Sequence, residues 1–145
     1  MSSMKINLSN EELRYISLFE ELTGVTPRDF VESGGGSIYT FVVDEGDMGK
    51  AIGKNGRNIR RVRKKIDETV NVVEYSDDPE KFLENIFSSV EIRDIEIVEN
   101  EGEKIAVVDV KESEKGKAVG RNGWNIERAR KLSSRHHGLA EVSFA

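Results

Sequence analysis

Two stretches of this chain, residues 49–66 and residues 116–133, repeat each other almost residue for residue. Each contains a Gly-x-x-Gly turn, at residues 53–56 and at residues 120–123, with a basic residue in its middle and arginines after it. A duplication of this kind indicates that one supersecondary unit occurs twice. The 145-residue chain is therefore expected to form two units of about 70 residues, each small but able to fold.

The charge of the chain is concentrated in the repeated stretches. The formal total is −5, yet residues 49–66 carry eight Lys or Arg and no acid, and residues 116–135 carry six against one acid, Glu127. A basic stripe on an acidic body directs a polyanion to one surface, which the total charge hides. The alternative is that these charges form ordinary solvated helix faces.

Composition limits the environment of the protein. The chain has no cysteine, which excludes a disulfide scaffold and a thiolate metal site. Its first residues lack the apolar run of a secretory signal, and no stretch has the length of a membrane span. We therefore expect a cytoplasmic protein with no membrane partner.

The first unit is predicted to have the order helix, strand, strand, helix, helix, strand. Ser9 and Glu12 form a capping-box pattern before apolar residues at helical spacing, and Gly24 can end that helix. Residues 27–32 and 38–43 are predicted to form a hairpin, and residues 70–75 a further strand. Between them, a short helical turn and a longer helix flank the Gly-x-x-Gly turn. The longer helix has apolar residues on one face and basic residues on the other, namely Ile59, Val62 and Ile66 against Arg57, Arg60, Arg61 and Lys64.

The second unit is predicted to repeat this order. Asp78 precedes Pro79, a pattern typical of a helix start, and an apolar helix face follows. That face holds Phe82, Leu83, Ile86 and Phe87.

Strands are predicted at about residues 90–98, 104–110 and 140–144. Residues 76–78 are too few for a free tether between the units. We assign the first domain to residues 1–76 and the second to residues 77–145, in the α+β fold class.

The Gly-x-x-Gly turns have the chemistry of a phosphate contact. Glycine permits backbone angles and a close approach that a side chain would prevent. The amides at the start of the following helix are unpaired and lie at its positive end, while Lys54 and Arg121 add attraction for an anion. A single turn of this kind would be weak evidence, because it also occurs in ordinary helix–turn–helix connections.

The two motifs resemble those of the K-homology (KH) family of RNA-binding domains. The KH pattern Ile-Gly-x-x-Gly-x-x-Ile is matched by Ile52-Gly-Lys-Asn-Gly-Arg-Asn-Ile59 and by Val119-Gly-Arg-Asn-Gly-Trp-Asn-Ile126. Only about seven residues follow the second motif helix, which is enough for one strand but not for two strands and a helix. This arrangement resembles the type II chain order, in which the extra helix and strand precede the motif. That resemblance implies, in each domain, a three-stranded mixed sheet with helices on one face.

Two type II KH domains joined by so short a linker are similar to the NusA-like family, and to its short archaeal members most closely. Bacterial NusA-like proteins carry a polymerase-binding domain and an oligonucleotide-binding barrel before the KH pair. We expect neither in this chain, so polymerase binding is not transferred to it residue by residue.

The KH resemblance implies a groove for four nucleotides beside each motif. In the first domain it implies RNA-binding roles for Lys50, Ile52, Gly53, Lys54, Asn55, Gly56, Arg57, Ile59, Arg60 and Arg61. In the second it implies the same for Lys117, Val119, Gly120, Arg121, Asn122, Gly123, Trp124, Ile126 and Arg128.

Some of these positions have a second interpretation. The aliphatic residues Ile52, Ile59, Val119 and Ile126 suit a groove wall and plain core equally. Trp124 could stack on a base, contact the other unit or pack laterally. Neither a metal nor a cofactor is expected, because adjacent His136 and His137 diverge on a helix and no other ligands accompany them. Lys64, Lys65 and Lys131 are expected to act through their long-range field.

The sequence favours binding over catalysis. It contains neither a Walker A motif nor a dinucleotide-binding fingerprint, and no nucleophile with a base can be assembled. A protein-interaction module is an alternative function, but the basic residue inside each Gly-x-x-Gly turn favours RNA as the ligand. We therefore predict a non-enzymatic protein that holds single-stranded RNA and modulates transcription elongation or termination, with RNA polymerase or another transcription component as a further candidate partner. The alternative is an RNA-processing or ribosome-associated RNA-binding protein.

Overall fold

A computed structural model of the protein describes residues 9–145. The chain forms two compact units, of which the first ends at Ser76 and the second spans Asp77–Ala145. No helix within residues 9–145 is both long enough and apolar enough to cross a membrane.

The first unit has the predicted order of elements. Ser9 caps the first helix through the predicted capping box, in which its hydroxyl accepts from the Glu12 amide and its amide donates to the Glu12 carboxylate. Gly24 ends that helix in a left-handed conformation with φ 74°. The elements are α1 (Asn10–Thr23), β1 (Asp29–Ser33), β2 (Ile38–Val43), α2 (Met48–Ile52), α3 (Arg57–Ile66) and β3 (Thr69–Glu74).

The first sheet is mixed, as predicted. Its order is β1-β2-β3, with β1 and β2 antiparallel and β2 and β3 parallel. Phe41 of the central strand pairs with Phe30 on one side and with Val72 on the other. Alternate residues of β2 share a face of the sheet, and Tyr39, Phe41 and Val43 belong to the core of this unit.

Helices α1 and α3 pack on that same face. The Phe19 ring of α1 stacks on the Phe41 ring, with 4.3 Å between the ring centroids. Ile59, Val62 and Ile66 of α3 join this core, as the helical spacing predicts. Burial of each large apolar side chain contributes about 1.5–3 kcal/mol, so these contacts fix α3 and the turn before it against the sheet.

The second unit repeats the architecture. Asp78 caps its first helix by accepting from the Glu80 amide, with Pro79 at the first helical position, as predicted. Its elements are α4 (Pro79–Ile86), β4 (Ile92–Asn100), β5 (Glu103–Val110), α5 (Lys115–Val119), α6 (Trp124–His137) and β6 (Glu141–Phe144).

The second sheet has the order β4-β5-β6, antiparallel and then parallel. Strand β4 begins two residues later than predicted, because Val90 belongs to a turn in which its amide donates to the Phe87 carbonyl. The strand also continues beyond its predicted end, to Asn100. The β4–β5 turn places Glu101 and Gly102 at positive φ, which suits a tight hairpin. The α+β class, the mixed sheets and the repeated order are therefore confirmed.

Candidate nucleic-acid interface

Each Gly-x-x-Gly turn joins a short helix to a long one. We call residues 53–56, between α2 and α3, the first loop, and residues 120–123, between α5 and α6, the second loop. Gly53 ends α2 with φ 79° and ψ 169°, and Gly120 ends α5 with φ 82° and ψ 157°. This region of backbone space is accessible essentially to glycine alone.

The two loops share one backbone conformation beyond their first glycine. Asn55 and Gly56 lie in the left-handed region with φ 56° and 74°, and Asn122 and Gly123 with φ 57° and 73°. Asparagine tolerates this region better than most residues because its short polar side chain can bond locally. The same elbow is thus built twice.

Close packing requires the first glycine of each loop. A Cβ atom on Gly53 would lie 2.8 Å from Cγ of Asn58 and 2.9 Å from its backbone nitrogen. A Cβ atom on Gly120 would lie 2.6 Å from Nε1 of Trp124 and 3.0 Å from the backbone nitrogen of Asn125. Both loops therefore press against the first turn of the helix that follows.

An asparagine in each long helix fastens the loop to the short helix. Asn58 Nδ2 donates to the Lys50 carbonyl at 2.9 Å, and Asn125 Nδ2 donates to the Ala118 carbonyl at 3.0 Å. We had predicted no role for either asparagine. The signal was present, because an identical Asn-Ile pair stands at the same position after both loops.

The first loop lies at the surface with its basic neighbours. Lys54 and Asn55 are exposed, and Arg60 donates from Nη1 to the Asn55 carbonyl. The predicted contacts Lys50, Arg57 and Arg61 are exposed too. The structure therefore brings the predicted basic residues of this unit together around one open elbow.

The second loop is exposed at its tip but more covered at its base. Arg121, Asn122 and the preceding Lys117 are exposed, whereas Gly120 and Trp124 are half-buried. The Trp124 ring packs laterally against Gly120, which is one of the three predicted interpretations.

The aliphatic candidates divide between core and surface. Ile59 and Ile126 are buried, with 4% and 8% of their surface exposed, so they serve the core. Ile52 and Val119 are half-buried at the ends of α2 and α5. Only this second pair can present an apolar wall to a ligand.

Arg128 requires a correction. We expected it beside an RNA backbone, as the repeat of Arg61, but only 5% of its surface is exposed. Its Nη2 donates to the Ile86 carbonyl at 2.7 Å and to Oδ1 of Asn125 at 2.8 Å, and its guanidinium lies over the Trp124 ring. It therefore binds protein groups inside its own unit and does not present its charge to a ligand.

Burial lowers the pKa of Arg128 to about 10, because the interior disfavours its charge. The group remains protonated at neutral pH. Its two acceptors and the Trp124 ring offset part of the desolvation cost, since a cation over an aromatic face is attracted to the ring. The side chain thus ties α4, α6 and the second loop together.

The histidines take part in packing. His136 and His137 lie against the Phe82 ring, with centroid distances of 5.7 and 5.4 Å. Within residues 9–145, no cluster of three or more His, Asp or Glu side chains has the arrangement of a metal site.

Comparison with known proteins identifies the architecture. Residues 13–77 match the KH domain family, and residues 79–143 match the NusA-like second KH domain. The probable transcription termination protein NusA of Methanocaldococcus jannaschii is 33% identical over 138 residues, which cover 95% of this chain and 74% of that protein. The chain belongs to the NusA-like family.

Two further similarities cover nearly all of this sequence. The probable transcription termination protein NusA of Halococcus morrhuae is 32% identical over 142 residues, which cover 98% of this chain and 100% of that protein. The crystal structure of APE1850 is similar with a TM-score of 0.78 and 39% identity, over 95% of this chain and 100% of that one.

Membership in the NusA-like family supports RNA binding and a role in transcription. Both loops of this NusA-like chain lie within the matched KH regions.

Proposed function

We propose that this protein holds single-stranded RNA on the loops of both KH domains and modulates transcription elongation or termination by holding the nascent transcript. One observation carries the proposal. The same glycine elbow occurs twice, each time with an exposed basic residue, Lys54 or Arg121, at its tip.

The elbow suits the sugar-phosphate backbone of RNA. Its glycines leave the main chain bare, so a phosphate can approach the amides at the start of α3 or α6. The first amide of each helix, that of Arg57 or Trp124, donates back to the carbonyl of Lys54 or Arg121. The attraction for a phosphate at this end therefore comes from the positive end of the helix dipole. Lys54 and Arg121 add an attraction that salt screens.

The proposed contacts are the exposed loop residues and their nearest basic neighbours. In the first domain they are Lys50, Gly53, Lys54, Asn55, Gly56, Arg57, Arg60 and Arg61, with Ile52 as apolar wall. In the second they are Lys117, Gly120, Arg121, Asn122 and Gly123, with Val119 as apolar wall and Trp124 at the edge of the loop. Buried Ile59, Ile126 and Arg128 support these contacts from inside.

The double variant Lys54→Asp with Arg121→Asp tests the RNA-binding part. Both side chains are exposed, so the fold should persist while affinity for single-stranded RNA falls severely. The matched control is Lys81→Asp with Lys104→Asp, which changes the charge equally at exposed positions outside the loops. Equal affinity of the loop variant and the natural protein would contradict the proposal.

Salt dependence provides an independent check. Neutralisation of roughly five phosphates gives a slope of log affinity against log salt near −3.5, from about −0.7 per phosphate of a single strand. A flat response would mean that the protein does not hold the RNA backbone.

The transcription part rests on the relatives, which bear the name of a transcription termination protein. Affinity purification from the native cells tests it. Recovery of RNA polymerase supports the proposed role, whereas recovery of pre-ribosomal particles would favour RNA processing or a ribosomal role instead.

We propose binding without turnover. ATP or GTP hydrolysis that Lys54→Asp with Arg121→Asp abolishes would contradict this part of the proposal.

A further inference from the structure

Helix α3 carries a continuous basic surface that extends beyond the first loop. Five basic side chains of this helix line a shallow depression of about 600 Å³, and all five are exposed. We call this surface the α3 patch; it consists of Arg57, Arg60, Arg61, Arg63 and Lys64.

The charges of the α3 patch are not neutralised by neighbouring acids. None of the ion pairs formed within residues 9–145 involves a member of the patch. Helix α3 itself contains no acidic residue, and the next acids along the chain are Asp67 and Glu68, after the end of the helix. The patch therefore keeps its attraction for an anion along the length of α3.

The α3 patch is continuous with the first loop. Arg57 is the first residue of α3 and directly follows Gly56. Arg61 and Lys64 succeed it at one-turn spacing, so the basic row extends about 10 Å along the helix at about 1.5 Å per residue. Arg60 connects the two surfaces through its hydrogen bond to the Asn55 carbonyl. An RNA strand that leaves the loop along α3 would thus remain in contact with cations.

The second unit lacks this surface, although it has the same helix. The repeat places Trp124, Glu127, Arg128 and Lys131 where the first unit has Arg57, Arg60, Arg61 and Lys64. Lys131 pairs with Glu127 at 2.9 Å, and Arg128 is buried. Arg130, the repeat of Arg63, pairs with Glu141 at 2.7 Å. The basic side chains that form no ion pair in α3 therefore have counterparts in α6 that are uncharged or acidic, paired with an acid, or buried.

We infer that the α3 patch binds further phosphates of the RNA strand, beyond the four nucleotides held at a KH loop, and that only the first domain has this extended site. The inference rests on the proposed function, which it deepens. Arginine suits the task because its planar guanidinium can donate two parallel hydrogen bonds to one phosphate. The first domain then has the longer footprint and the steeper salt dependence.

The test uses full-length protein with Arg121→Asp, so that the second loop contributes little. Two labelled probes are compared, random-sequence RNA of four nucleotides and of twelve nucleotides. The patch variant adds Arg63→Gln with Lys64→Gln, which are not among the loop contacts proposed above. The matched control adds Arg130→Gln with Lys131→Gln, the corresponding positions of α6. Arg130 Nε donates to the Val142 carbonyl as Arg63 Nε donates to the Val70 carbonyl, so the two variants lose the same kind of bond.

The patch variant should bind the longer RNA about tenfold more weakly, and its salt slope for that RNA should be shallower by about 1.4, from two contacts of about 0.7 each. Its affinity for the four-nucleotide RNA should stay within about twofold. The control should match its parent for both probes.

Two results would overturn the inference. One is an unchanged affinity and salt slope for the longer RNA, and the other is an equal loss for both RNA lengths. Either can occur while Lys54→Asp still abolishes binding, in which case the proposed function stands. An RNA affinity that Lys54→Asp leaves unchanged would contradict the proposed function itself.

Discussion

Arg128 lies over the ring of Trp124, with its guanidinium carbon 4.8 Å from the ring centroid. The same guanidinium donates to the Ile86 carbonyl, and the ring rests against Gly120. A buried cation thus connects α4 to the second loop. In the part of the first unit that the structure describes, the repeat of Arg128 is Arg61, and that side chain is exposed.

Replacement of Arg128 should destabilise the second unit. Arg128→Met leaves the Ile86 carbonyl and Oδ1 of Asn125 without this donor, so the free energy of unfolding should fall by about 2–4 kcal/mol. Denaturant unfolding of each variant, followed by far-UV circular dichroism so that both units contribute to the signal, measures the change. Arg61→Met is the matched control and should cost less than about 0.5 kcal/mol. Equal losses for the two variants would contradict the buried role of Arg128.

The effect of Arg128→Met should not depend on pH near neutrality. The pKa of Arg128 is lowered to about 10, below its ordinary value, so the folded and unfolded chains both keep the proton between about pH 6 and about pH 8. Above about pH 10 only the unfolded chain retains it, and the stability contributed by this group should rise with pH. Unfolding of natural protein and variant at several pH values checks this. A difference that changes below about pH 8 would contradict the assignment.

The first glycine of each loop should be intolerant of a side chain. Gly53→Ala places a Cβ atom against Asn58 and forces an unfavourable φ, so stability should fall by about 1–3 kcal/mol and RNA affinity should fall with it. Thermal unfolding and RNA titration measure both effects. Gly49→Ala is the control within α2, where a Cβ atom would meet nothing within 4 Å. It should be neutral or stabilising by up to about 1 kcal/mol, and a loss as large as that of Gly53→Ala would refute the close-approach argument.

The loop-fastening asparagines should differ in their contribution to stability. Asn125 is buried and bonds both the Ala118 carbonyl and Arg128, whereas Asn58 is half-buried and bonds the Lys50 carbonyl. We expect Asn125→Ala to cost about 2–3 kcal/mol and Asn58→Ala about 1 kcal/mol. Denaturant titration of the two variants gives the comparison. The reverse order would mean that burial does not set the strength of these bonds.

Local sequence signals predicted most of the fold. The Ser9–Glu12 box and the Asp78–Pro79 pair act through neighbouring backbone groups, so they specify helix starts without any tertiary contact. The repeat then predicted the order of elements in both units and the position of both loops. The start of β4 was misplaced because Val90 is apolar and β-prone, whereas a turn decides its conformation.

The sequence could not predict the environment of Arg128. The repeat aligns it with Arg61, and both residues occupy the same position of an equivalent helix. What differs is the partner, since the Ile86 carbonyl approaches from a helix 42 residues earlier in the chain. Such a contact depends on tertiary packing, which periodicity and charge do not encode. For the same reason, the sequence could not predict that Arg130 and Lys131 of α6 form ion pairs whereas the α3 patch forms none within residues 9–145.

We propose that RNA lies against the main chain of the two loops. Amide chemical-shift mapping of isotope-labelled protein, titrated with single-stranded RNA, reports this placement residue by residue. We expect the largest shifts at residues 53–56 and 120–123 and at the first turns of α3 and α6. Saturable binding that leaves these amides unshifted while it perturbs another surface would contradict it.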